Sequence, residues 1–136
     1  MSVMFPAGHG FRYSTEEQWT GDYWIDGKKI YAKVFTGTLT SKIETQPTNF
    51  IEYIVIANIE KILNNCGTAT VTFNNEPAFT CAVPSIVHHG KNWQVIFSSG
   101  VSKTTDGIRL NFSSINAYSP TKVDYEVAVE YTKTTD

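Results

Sequence analysis

The chain is short of charge, of cysteine and of long apolar runs, and each shortage removes a class of protein. Charged residues make up 18% of its 136 residues and balance to a formal net charge of −2. Lysines and arginines are scattered, so no basic patch offers itself to nucleic acid or to an anionic membrane surface. No apolar stretch approaches the roughly 20 residues that a membrane-spanning helix needs. The first residues, MSVMFPAGHGFRY, have neither a basic start nor a continuous apolar segment, which reads against a secretory signal and for synthesis in a cytoplasm. The two cysteines, Cys66 and Cys81, read as buried thiols unless their strands meet in register.

Catalytic motifs are also lacking. There is no G-x-S-x-G, no H-E-x-x-H, no phosphate-binding loop and no dinucleotide fingerprint, and no cofactor is expected. A glycosidase needs only two carboxylates at a suitable separation, so Glu16, Glu17, Asp22 and Asp26 have to be weighed. Three of the four have a simpler explanation: Asp26 belongs to a turn, and Glu16 and Glu17 follow a helix-start pattern. Adjacent histidines, His88 and His89, point to opposite faces if they lie in a strand, which disfavours a shared metal ion.

What is present is apolar and aromatic. Hydrophobic residues reach 41% and aromatics 13%, a composition that orders one globular domain without disulfide support. Residues 1–12 read as an extended arm, broken by Pro6, Gly8 and Gly10 and made adhesive by Met4, Phe5 and Phe11; residues 13–136 form the single domain. Ser14 to Gln18 has the chemistry of a short helical turn. Tyr23-Trp24-Ile25 and the alternating run Lys28 to Phe35 flank Asp26-Gly27, which predicts a hairpin closed by a two-residue type I′ turn.

After a Thr-rich tract, FIEYIVIANIEKIL over 50–63 is ambiguous, because its apolar spacing suits a helix while its β-branched first half suits a strand. A strand over Ile51 to Ala57 with a turn at Asn58 to Glu60 is favoured, and Asn64, Asn65 and Gly67 end the element. Thr68 to Phe73 and Ala78 to Val83 predict a second hairpin, Ile86 to His89 a short strand, and Asn92 to Ser98 another. Ser99 through Gly107 reads as a loop. Ile108, Leu110 and Phe112 then share a face, as do Val123, Tyr125, Val127, Val129 and Tyr131, the alternation of strands with one buried side. The expected fold is all-β, an antiparallel β-sandwich, jelly-roll-like, with an N-terminal arm.

Two stretches carry a resemblance. YSTEEQWTGDYWIDGKKIYAK near the start and VEYTKTTD at the end resemble segments of phage and prophage tail-fibre, receptor-binding and related virion structural proteins. The middle, about residues 40 to 120, matches only loosely. The resemblance implies a β-rich, homotrimeric module in a virion, in contact with other virion proteins, and it brings no catalytic residue. The arm and the Trp24 to Phe35 hairpin, with large apolar groups on both parities, are the expected subunit contacts. Aromatics beside hydrogen-bonding side chains suit a host-surface glycan, and Trp93, Tyr118, His88, His89 and Asn92 are the candidate ligand contacts. An architectural head-fibre, collar or decoration protein without a ligand is the alternative, and a polysaccharide-degrading enzyme is a third reading.

Overall fold

The computed structural model describes residues 13–40, 49–73, 77–89, 94–114 and 120–136. Nine strands run in the order β1 (Gln18–Tyr23), β2 (Lys29–Thr40), β3 (Asn49–Val55), β4 (Ile59–Phe73), β5 (Phe79–Val83), β6 (Ser85–His89), β7 (Gln94–Lys103), β8 (Gly107–Ser114) and β9 (Pro120–Lys133). They form two antiparallel sheets, one in the order β1-β2-β9-β4-β5 and the other β3-β8-β7-β6. Among the described residues there is no helix. The protein is an all-β sandwich.

Alternation explains the sandwich. On β9, Val123, Val127, Val129 and Tyr131 are fully buried and Tyr125 nearly so, while the intervening Asp124, Glu126, Ala128 and Glu130 face outward. Ile108, Leu110 and Phe112 of β8 supply the opposing layer, with no exposed surface. A run of rings bridges the two: Tyr125 against Phe112 (5.7 Å between centroids), Phe112 against Phe97 (6.3 Å), Phe97 against Phe79 (5.8 Å) and Phe79 against Phe73 (5.3 Å). Such pairs add to area burial through edge and offset contacts.

The first hairpin is tight, but its loop is longer by one residue than Asp-Gly suggests. The Gly27 N–H donates to the Trp24 carbonyl and the Trp24 N–H to the Lys28 carbonyl, both at 2.8 Å, which leaves Ile25, Asp26 and Gly27 as a three-residue loop. Only Gly27 takes positive φ (87°), so Asp26 is not the left-handed residue of a type I′ turn. Its carboxylate instead accepts the Lys28 N–H at 3.1 Å, and that bond holds the Asp26 carboxyl below the usual carboxylate range. Gly27→Val is expected to lower stability by about 1 to 2 kcal/mol, because a β-branched residue is strained at positive φ. An unchanged urea midpoint would rule that role out.

Three other expectations are corrected. Ser14 to Gln18 is not a helical turn: Ser14 Oγ accepts the Glu16 N–H and the chain passes straight into β1. Asn64, Asn65 and Gly67 do not end an element, since β4 runs through them to Phe73, its pairing with β9 shifting at Ile59/Lys61 and at Ile62/Asn64. Ser99 to Lys103 continue β7, so the loop before β8 is only Thr104 to Asp106. The strand-then-turn order in 50–63 holds with shifted bounds: β3 stops at Val55, the turn is Ile56 to Asn58 with Asn58 in the left-handed region (φ 63°), and Ile59 and Glu60 already belong to β4. The expected arm, residues 1–12, lies outside the described residues.

The cysteines fall on opposite faces of one sheet. Cys66 pairs with Ala128 on the outer side, whereas Cys81 pairs with Ala69, which is buried in the core. Both are free, and burial pushes the Cys81 thiol up.

Candidate functional site

The connections divide between two ends. At one end lie the first hairpin loop, the turn between β3 and β4, the bend at Pro84 and the loop at Thr104 to Asp106. Charges tie this end together: Lys28 Nζ meets Glu60 at 2.9 Å, Lys61 Nζ meets Asp26 at 3.5 Å, and Thr132 Oγ1 donates to Glu60 at 3.2 Å. Glu17 accepts both the Tyr131 hydroxyl and Lys133 Nζ at 2.5 Å. Tyr31 donates to Asp136, and burial with that carboxylate pushes its hydroxyl up to about 12. Glu17 and Asp26, two of the four carboxylates weighed above, are thus engaged, Glu17 with β9 and Asp26 with the hairpin loop and Lys61.

At the other end, β2 stops at Thr40 beside Lys122, β4 at Phe73 beside Pro120, and β8 at Ser114 beside Phe97. There β6 ends at His89 paired with Gln94, where β7 begins. His88 and His89 therefore stand at the end of β6, past a register shift between Val87 and His88. Asn92 and Trp93, in the β6–β7 connection, and Tyr118, in the β8–β9 connection, lie outside the described residues. Their strands share this end of the sandwich.

A second feature had no signal in the sequence. On the outer face of the five-stranded sheet a cleft of about 420 Å³ opens beside Tyr13 to Thr15, floored by Val34, Ala128 and Gly67 and edged by Thr36, Cys66 and Glu126. Small residues at the centre of the sheet make this hollow, and Tyr13 crosses it to donate to Glu130 Oε2 at 3.2 Å. Burial pushes the Glu130 carboxyl up, with bonds from Tyr13 and Asn64 offsetting only part of that rise. Among the described residues no cluster of His, Cys, Asp and Glu could hold a metal ion.

The Glu130 shift has a defined sign. Its folded form holds the proton more tightly than the unfolded chain, so stability falls as pH rises from about 4.3, the ordinary carboxylate value, through the raised one. Asp26, Glu60 and Asp124 are shifted down and act in the opposite sense, with stability lost as pH falls below the ordinary value. The windows are separate. Glu130→Gln is expected to remove the fall in urea midpoint that sets in as pH rises above the ordinary carboxylate value. Parallel curves for the two proteins would count against a buried carboxylate.

Large apolar side chains left uncovered form another group. Tyr23 (58% exposed) on β1 and Ile25 (91%) at the hairpin tip stand out, together with Trp19, which stacks edge-on with Tyr23. On β2, by contrast, Ala32 and Phe35 are buried within the protomer. The apolar surface of the hairpin is thus on β1 and the loop, not on both parities of β2. No family model matches this chain, and the searches of curated proteins and of solved structures returned no match.

Proposed function

We propose that the protein is a virion structural module of the phage tail-fibre kind, and that it meets a host-surface glycan at the end of the sandwich where β6, β8 and β9 have their connections. One observation supports this reading: β6 ends at His88 and His89 at the same end of the sandwich where β8 stops and β9 starts. A rigid sandwich with recognition at one end and ion-paired turns at the other separates binding from support. The jelly-roll-like description belongs to the proposal as well. It rests on the long-range pairings of β2 and β4 with β9 and of β3 with β8, beside the local hairpins β4–β5, β6–β7 and β7–β8.

Assembly as a homotrimer, seated on other virion proteins, is part of the same reading. Its support is the exposed Trp19, Tyr23 and Ile25 of the first hairpin, more apolar surface than an isolated protomer has use for. Light scattering is expected to give three times the 15.2 kDa of one chain. A monomer mass at micromolar concentration would overturn the trimer.

The test of function is a bacterial-surface glycan array with the intact protein, its Trp93→Ala and Tyr118→Ala variants, and antibody labelling of particles. Binding that both substitutions weaken, with label on virions, is the expected result. Labelled virions without any glycan signal would replace it with the architectural reading.

A further inference from the structure

The outer face of the four-stranded sheet carries groups that the fold itself does not use. Register sets three of its positions side by side in one row: Tyr53 of β3, Arg109 of β8 and Ser102 of β7. The next row is Ile51, Asn111 and Gly100. Tyr53 is 67% exposed, and Val55, one step along the same edge strand, is 73% exposed. A Cβ placed on Gly100 would meet nothing within 4 Å, so the surface beside Asn111 is open.

Arg109 is the unexplained member. Its Nε is buried with no hydrogen-bond partner, and no ion pair among the described residues involves it. A buried donor left unpaired is costly, and more so when it belongs to a charged group. No Asp or Glu stands at the outward positions described on this face, where β3 contributes Asn49, Ile51, Tyr53 and Val55 and β8 contributes Gly107, Arg109, Asn111 and Ser113. The positive group among these outward positions is the Arg109 guanidinium; with its Nε buried, its two terminal Nη groups are the ones that can match a carboxylate in two parallel bonds. Around it are a tyrosine ring and amide and hydroxyl groups.

We propose that this face is a second glycan site, selective for a sugar that carries a carboxylate, such as a uronic or sialic acid residue. The carboxylate takes the Arg109 guanidinium as its partner, the apolar side of the sugar ring lies on Tyr53, and Asn111 and Ser102 meet ring hydroxyls. Gly100 leaves room for the chain to continue. This deepens the glycan reading above and rests on it, but places acidic sugars on a face built from β3, β8 and β7 and away from the connections at the sandwich end.

The experiment is calorimetric titration of the intact protein with four probes: oligogalacturonate, oligoguluronate, a hyaluronate oligomer and a sialylated oligosaccharide. Binding of at least one is expected. Arg109→Gln should weaken it tenfold or more and Tyr53→Ser by a smaller factor, with Arg109→Lys between wild type and Arg109→Gln; the far-ultraviolet spectrum should be unchanged in all three. Methyl-esterified oligogalacturonate should bind no better than a neutral dextran oligomer. No binding of any probe overturns the proposal, and so does binding that Arg109→Gln leaves intact. Equal binding of polyglutamate would overturn the sugar assignment in favour of an acidic peptide. Array signals lost with Trp93→Ala but not with Arg109→Gln would remove this site and leave the first reading standing.

Discussion

Phe112→Ala is expected to lower stability by about 3 to 5 kcal/mol, the range for truncating a fully buried aromatic ring. Phe112 has no exposed surface and is one of the rings through which the two sheets touch, flanked by Tyr125 from β9 on one side and Phe97 from β7 on the other. Removing it leaves a cavity between layers that β-sheet backbones cannot easily close. Small domains hold only about 5 to 15 kcal/mol in total, so much of the margin would go. The check is a urea titration, where the midpoint should fall with little change in slope, and a thermal scan, where Tm should drop on the order of 10 °C. Phe112→Leu should lose distinctly less, and equal losses for the two would mean that the site is not packed as described.

Gly107→Ala is the second large effect, and it acts through the backbone. Gly107 opens β8 opposite Val55, and a Cβ there would stand 1.9 Å from the Ile54 carbonyl oxygen and 2.8 Å from its carbon. Neither atom belongs to a flexible side chain, so the β3–β8 ladder must part at that end. A loss of about 3 kcal/mol is expected, at the upper end of overpacking effects. Gly100→Ala is the internal control: it also lies in a strand of the same sheet, but its added methyl meets nothing, so its midpoint should stay within about 0.5 kcal/mol of wild type. Similar losses at both positions would show that strand glycines matter here for reasons other than space.

These two substitutions also mark what the sequence could and could not tell. The buried stripe of β9 was legible because one face of that strand meets the core and the other meets water, so period two survives in the letters. In β3 it does not survive. Phe50, Ile54 and Ile56 face inward while Ile51, Tyr53 and Val55 face out, so both parities are apolar and alternation carries no parity information. For the same reason the Arg109 face could not be read, since nothing local shows that Arg109 lacks an acceptor.

The length of β4 was hidden by a different effect. Asn64, Asn65 and Gly67 are turn residues by chemistry, yet long-range pairing with β9 overrides that preference, and Gly67 is there because a Cβ would stand 2.1 Å from the Glu126 carbonyl oxygen. Local rules cannot see a partner some sixty residues away. The candidate ligand residues were legible as chemistry and as neighbours in the chain. That β6, β8 and β9 bring their strand ends to one place is a property of topology, which no single stretch encodes.

The position of β9 has a consequence for how the chain is made. It lies between β2 and β4, and both depend on it for a hydrogen-bonded neighbour. Synthesis runs from the amino end at roughly 5 to 20 residues per second, so β2 waits while β3 to β8 are made before β9 leaves the ribosome. During that wait the smaller sheet can already pair, since β3, β6, β7 and β8 are all present by Ser114, while the larger sheet can form only its β1–β2 and β4–β5 hairpins. Nascent chains should therefore pass through a half-built stage whose Val71 and Phe35 surfaces are exposed to chaperones, and a released chain truncated between residues 114 and 120 should be removed by proteases.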